Sequence, residues 1–159
     1  MSNYNIEEQK ELIAKISTMD LCERYMANVE RLNVPELAPA VNRRMVQIRT
    51  ELNLRKIDSQ HPQGKENASV VEQLIICLAA YEQTLKNKYA GRIRPQITER
   101  GFIQTIDSLV QTRRRSEGFI RLKKLGLEEF LFEQVVIAHP AVFSTCAVSV
   151  SKERIAVHG

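Results

Sequence analysis

The chain has 159 residues, 43% of them hydrophobic, and 23 Lys and Arg against 19 Asp and Glu give a net charge of +4. That length suits one domain, or one domain with a helical extension, and the apolar fraction excludes wholesale disorder. No apolar run approaches the ~20 residues that span a bilayer, and Met1–Glu8 has neither the basic nor the apolar stretch of a secretory signal, so a cytoplasmic protein without a membrane partner is expected.

Helix signals dominate, because the six Gly and five Pro fall between periodic segments. Residues 5–31 read as one long helix carrying Ile6, Leu12, Ile13, Ile16, Met19, Cys22, Met26 and Val29. Met19, Cys22, Met26 and Val29 follow the 3–4–3 spacing of a single stripe. Such a helix either packs along its own domain or, with Leu12, Met19 and Met26 as one heptad position, forms a coiled-coil homodimer whose seam Lys15 interrupts. Pro35 and Pro39 break the chain. Val41, Met45, Ile48 and Leu52 then mark a second helix to about Ile57, so the first two helices predict a hairpin. Residues 58–69 hold the best linker in the chain, Asp58-Ser59-Gln60-His61-Pro62-Gln63-Gly64, polar and without periodicity.

A third helix over about 70–89, with Ser69 as its cap, is apolar nearly all round through Val71, Leu74, Ile75, Ile76, Cys77, Leu78, Ala79 and Ala80. That pattern marks a central buried helix. Gly91 and Pro95 bracket the next loop. A fourth helix over about 96–112 carries Phe102, Ile103, Ile106, Leu109 and Val110. Ser116 opens a short fifth helix with Phe119, Ile120 and Leu122 inward, and Gly126 ends it. A sixth, about 128–138, buries Leu131, Phe132, Val135 and Val136 before His139-Pro140. Ser144 starts a seventh, toward Ile155, although Ala147-Val148-Ser149-Val150-Ser151 alternates as a strand would. The fold class is therefore all-α: a bundle of six or seven helices with a long N-terminal helical hairpin. The chain divides into the hairpin (1–58, a self-association element), a linker (59–69) and a basic helical bundle (70–159).

Three widely spaced cysteines, Cys22, Cys77 and Cys146, suit reduced thiols. Cys77 reads as a small buried hydrophobe. His61, His139 and His158 form no zinc spacing with them, and His139 with Cys146 is a weak thiol–imidazole candidate beside the turn at Pro140. No phosphate-binding glycine loop, nucleophile elbow, metalloprotease or calcium-loop motif occurs. No catalytic residue, metal or cofactor is expected, and the chain reads as a non-enzyme.

The charge is uneven. From Lys86 to Lys124 eleven basic residues oppose three acidic ones, a local charge of +8, while the remaining twelve basic and sixteen acidic residues amount to −4. Lys and Arg neutralise phosphates and release counterions, so this stretch is a candidate surface for DNA or RNA backbone. The candidate contacts are Lys86, Lys88, Arg92, Arg94, Arg113, Arg114, Arg115, Arg121, Lys123 and Lys124. If the fourth helix is straight, Arg92–Arg94 and Arg113–Arg115 stand roughly 24 Å apart, a track for a duplex or long single strand. The alternatives are an acidic partner protein, or an assembly module that oligomerises through its N-terminal helices without nucleic acid. Residues 134–148 also echo a helix-turn-helix whose second helix would display Ser149, Ser151, Lys152 and Arg154.

Overall fold

The computed structural model describes residues 5–60, 67–85, 91–112 and 117–158. Among them there are nine α-helices and no strand: α1 (Ile6–Ala14), α2 (Met19–Arg31), α3 (Ala38–Gln60), α4 (Ala68–Gln83), α5 (Ile93–Arg100), α6 (Phe102–Val110), α7 (Glu117–Lys124), α8 (Phe132–Ala138) and α9 (Thr145–His158). Single 3-10 turns occupy Pro35–Leu37 and Glu128–Phe130. The all-α class is as the sequence predicts, but nine helices replace the expected six or seven.

The difference comes from breaks inside stretches that look continuous. The expected 5–31 helix stops after Ala14 because Thr18 begins a new one, its hydroxyl accepting from the Leu21 amide at 3.2 Å. The freed end of α1 is closed from outside: Arg44 Nε donates to the Ile16 carbonyl at 2.7 Å. A coiled-coil seam running through Leu12, Met19 and Met26 is thereby lost. The expected 96–112 helix divides at Gly101, whose φ of 85° and ψ of 166° suit glycine alone. Pro95 belongs to the first turn of α5 rather than to a loop, since a first-turn residue has no helical acceptor to lose. At 128–138 the chain makes a 3-10 turn, extends at Leu131 (ψ 137°) and only then enters α8.

Other ends follow local chemistry. Helix α2 closes with Asn33 at positive φ, the Val34 amide reaching back to the Val29 carbonyl and the Asn33 amide to Glu30. Gly126 closes α7 in the same way, with Leu127 returning to Leu122 and Gly126 to Lys123. Helix α4 starts one residue before the expected cap: Asn67 sits in the left-handed region at its head, and Ser69 lies within the first turn. Ser144 caps α9 as predicted, its Oγ accepting from the Ala147 amide at 3.1 Å. Asp107 of α6 anchors that cap, accepting from the Ser144 amide at 2.7 Å and from its hydroxyl at 2.9 Å. The expected cap Ser116 and the His61–Glu66 part of the linker lie outside the described residues.

Helix α4 is the centre, as its all-round apolar sequence predicts: Leu74, Ile75, Cys77, Leu78, Ala79 and Ala80 are all buried. One of its faces packs with Phe102, Ile106 and Val110 of α6, Val135 and Val136 of α8, and Ala147 and Val148 of α9. Another, through Ala79 and Ala80, meets Val46 of α3, Phe119 and Leu122 of α7, Leu127 and Leu131. A third core joins Ile13, Cys22 and Val29 to Leu37, Val41, Met45 and Ile48, so α3 carries α1 and α2 on one side and lies along α4 on the other. Each fully buried Leu, Ile or Phe contributes roughly 1.5–3 kcal/mol over exposure. None of the helices is long and apolar enough, among the described residues, to cross a membrane.

Candidate functional site

An α-helix ends in carbonyls without intrahelical partners and carries partial negative charge there. At the C-terminal end of α4, three arginines from three other helices converge on three consecutive residues. Arg94 of α5 grips Glu82 with two bonds, Nε to Oε2 and Nη2 to Oε1, each 2.6 Å. The same Nη2 donates to Asn53 Oδ1 of α3 at 2.8 Å. Arg49 of α3 donates from Nε to Gln83 Oε1 at 2.7 Å. Arg121 of α7 donates from Nε to Thr84 Oγ1 at 3.3 Å. Of the three α4 residues they contact, only Glu82 is charged.

Glu82 is 1% exposed and the Arg94 side chain 22%. A carboxylate this deep requires a partner, and the bidentate guanidinium supplies one with fixed geometry. Arg94 is thus a structural tie between α5 and α4. The other predicted cations fall into two groups. Arg92 lies exposed just before α5, Lys123 is partly exposed and Lys124 exposed in the last turn of α7, and Arg121 draws that helix against the end of α4. Lys86, Lys88, Arg113, Arg114 and Arg115 lie outside the described residues. The straight fourth helix assumed for a 24 Å track is absent, because Gly101 breaks it. Arg49 was not foreseen, since it stands far upstream of the basic stretch. The one signal for the convergence is Glu82, an acid following the apolar run Leu74–Ala80 in the last turn of the helix.

A second buried ion pair joins α8 to α9. Arg154 Nη1 of α9 donates to Glu133 Oε1 of α8 at 3.0 Å, with both side chains under a tenth exposed. Arg154 Nη2 also donates to the Thr112 carbonyl. The pair borders a cavity of about 40 Å³ walled by Tyr81, Phe119, Leu122 and Phe132. This arrangement removes the helix-turn-helix reading. Ser151 is fully buried and Arg154 nearly so, so two of the four side chains meant for base edges face the interior, leaving Ser149 and Lys152 outside.

Cys77 is buried as expected, and burial pushes its thiol far above the ordinary range, with the charge of Glu133 adding to the effect. Burial likewise raises Cys22, although Arg44 opposes it. Cys146 is exposed. His139 bonds to Gln73 Oε1 through Nε2 at 3.1 Å. Among the described residues no three His, Cys, Asp or Glu side chains gather as a metal-ligand set.

A broad groove of about 510 Å³ between α1 and α3 is also basic, with Lys10, Arg43 and Arg44 on its walls. There Lys10 faces Glu7 at 3.2 Å and Arg43 faces Glu129 at 2.6 Å, which neutralises most of the wall. No known protein family matches this chain, and neither a curated protein nor a solved structure matches it.

Proposed function

We propose that the chain is a non-enzymatic accessory protein that binds nucleic-acid backbone at the end of α4. The observation that carries this reading is the Arg121–Thr84 bond. It holds the basic last turn of α7, with Lys123 and Lys124, against the point where the chain leaves α4 toward Lys86 and Lys88 and then Arg92. Arg121 is thereby tied to the end of a helix that lies more than thirty positions upstream in sequence. The buried Arg94–Glu82 pair fixes α5 at the same place. In this reading Arg94 and Arg121 position the helices, and Arg92, Lys123 and Lys124 meet phosphates. Phosphate contacts of this kind position a protein without reading sequence.

The test is binding of labelled duplexes and single strands of unrelated sequence, followed by fluorescence anisotropy across a salt series. Wild type binds at low salt and loses affinity steeply as salt rises. Combining Arg92→Ala, Lys123→Ala and Lys124→Ala weakens binding alike for every sequence and flattens the log–log salt slope by roughly two to three units. The Arg113→Ala, Arg114→Ala, Arg115→Ala variant tests that basic run of the sequence in the same way. No binding by wild type at low salt would overturn the proposal in favour of a protein-assembly role.

A further inference from the structure

Among the described residues, one face of α2 is only partly covered by its own chain. Leu21, Tyr25, Asn28 and Leu32 recur at i, i+4, i+7 and i+11, and at 100° per residue they fall in a stripe about 60° wide. Leu21 is 46% exposed and Leu32 43%. Beside the stripe lies an open cavity of about 150 Å³, walled by Gln9 of α1 with Tyr25, Val29, Leu32, Val34 and Leu37, and edged by Asn28 and Arg31, whose Nη2 donates to Asn28 Oδ1 at 3.4 Å. Tyr25 is pinned there by donating its hydroxyl to Gln9 Oε1. Apolar side chains at the rim of a preformed hollow are the usual form of an interaction surface.

We infer that this face binds a second copy of the same chain, helix α2 against helix α2, antiparallel about a two-fold axis between Met26 and Ala27. The sequence of the stripe is self-complementary about that point. It sets Leu21 opposite Leu32 of the second copy and Tyr25 opposite Asn28, and the symmetry repeats both contacts. Each Leu21 enters the hollow beside the opposing Leu32, and a cavity near 150 Å³ has room for a group as large as benzene. The charges agree with the same pairing. Asp20 and Arg31 both flank the stripe on its solvent side, near opposite ends of α2. In an antiparallel pair like flanks meet, so each Asp20 faces Arg31 of the second copy. Asp20 now holds Arg24 at 3.3 Å, with both side chains at least 70% exposed, and so solvated a pair is readily exchanged. Antiparallel helix dipoles add to the attraction.

Sedimentation equilibrium of the full chain, over a wide concentration range and without nucleic acid, tests the inference independently of the function proposed above. The expected result is a monomer–dimer equilibrium. Leu21→Glu weakens association at least about tenfold, since it removes an apolar anchor and sets a carboxylate against the opposing Leu32. Asp20→Arg alone and Arg31→Asp alone each weaken it by roughly tenfold, because each sets like charges opposite one another. The two swaps together restore the dimer, a result only the antiparallel pairing predicts. All three positions are solvent-exposed, and helicity by circular dichroism verifies folding. A monomer at every concentration overturns the inference, as does a dimer indifferent to Leu21→Glu or one in which the double swap fails to restore association.

Discussion

Replacing Arg94 by Met gives the sharpest check on how the end of α4 is held. The substitution keeps most of the aliphatic stem and removes the guanidinium, so Glu82, 1% exposed, loses two charge-assisted bonds of 2.6 Å. A longer bond from Asn53 Nδ2, 3.4 Å, stays with that carboxylate. Removing one member of a buried pair costs about 3–5 kcal/mol. The partial exposure of Arg94 argues for the lower end, about 3 kcal/mol. For a chain of this size that lowers Tm by about 6–12 °C. The reverse substitution, Glu82→Met, is milder at about 1–2 kcal/mol, because a guanidinium already 22% exposed can turn toward water while the buried carboxylate cannot. With both replaced the site is apolar, and stability returns to within about 1 kcal/mol of wild type. Urea unfolding followed by far-ultraviolet circular dichroism measures all four corners of the cycle. A loss below about 1 kcal/mol for Arg94→Met, or a larger loss for Glu82→Met, would refute this account of the site.

Three further outcomes follow from local geometry. A methyl group at Gly118 would stand 2.1 Å from the Tyr81 ring, which leans on Phe132 with ring centroids 6.4 Å apart; overpacking of about 1–3 kcal/mol then exceeds the ~1 kcal/mol gained in helix propensity. Gly118→Ala should therefore lower Tm in wild type and raise it in a Tyr81→Ala background. Ellman's reagent should titrate one thiol, Cys146, in the native protein, with Cys22 and Cys77 reacting only on unfolding; rapid native reaction of more than one would contradict their burial. Partial burial tends to raise the pKa of Glu129, but the bond from Arg43, a backbone hydrogen bond and the charge of Arg43 together outweigh that and leave it below the usual carboxylate range. A depressed folded value stabilises above the ordinary Glu pKa and is lost as pH falls through the folded one. Glu129→Gln should thus cost up to about 1 kcal/mol at neutral pH, and the difference from wild type should shrink as pH falls below the ordinary Glu pKa of about 4.3 and vanish below the depressed folded one.

How far the fold can be read from the sequence depends on the kind of signal each segment carries. Helix α4 was legible because its apolar residues cover every face, and only a central position satisfies that. The ends marked by Ser144 and Gly126 were legible because a cap hydroxyl and a left-handed glycine act within a few residues. The breaks at Lys15–Thr18 and at Gly101 were hidden behind apolar spacing that runs on through them. Periodicity records which side chains face a core, and two short helices on the same core preserve it. Thr18 and Gly101 carried the contrary signal, a capping hydroxyl and a residue free to take positive φ, each in a position that the stripe outvoted.

The candidate site was legible only as a quantity of charge. A window over 86–124 counts cations but cannot tell which of them reach solvent. Arg94 meets the only acid in the last turn of α4. Arg154, in a segment that looked like a reading helix, meets Glu133 instead. Both arginines tie helices together, and in each case the partner lies on another helix, 12 and 21 positions away. Arg49 works at the same place from α3, outside any basic stretch. The long planar guanidinium suits such ties, since it holds a carboxylate and still reaches a further acceptor, Asn53 for Arg94 and the Thr112 carbonyl for Arg154. Lysine, with its compact and strongly hydrated charge, stays at the surface, as Lys124 does. For this chain the residues that build the basic end of α4 and those that would use it are different, and net charge alone could not have separated them.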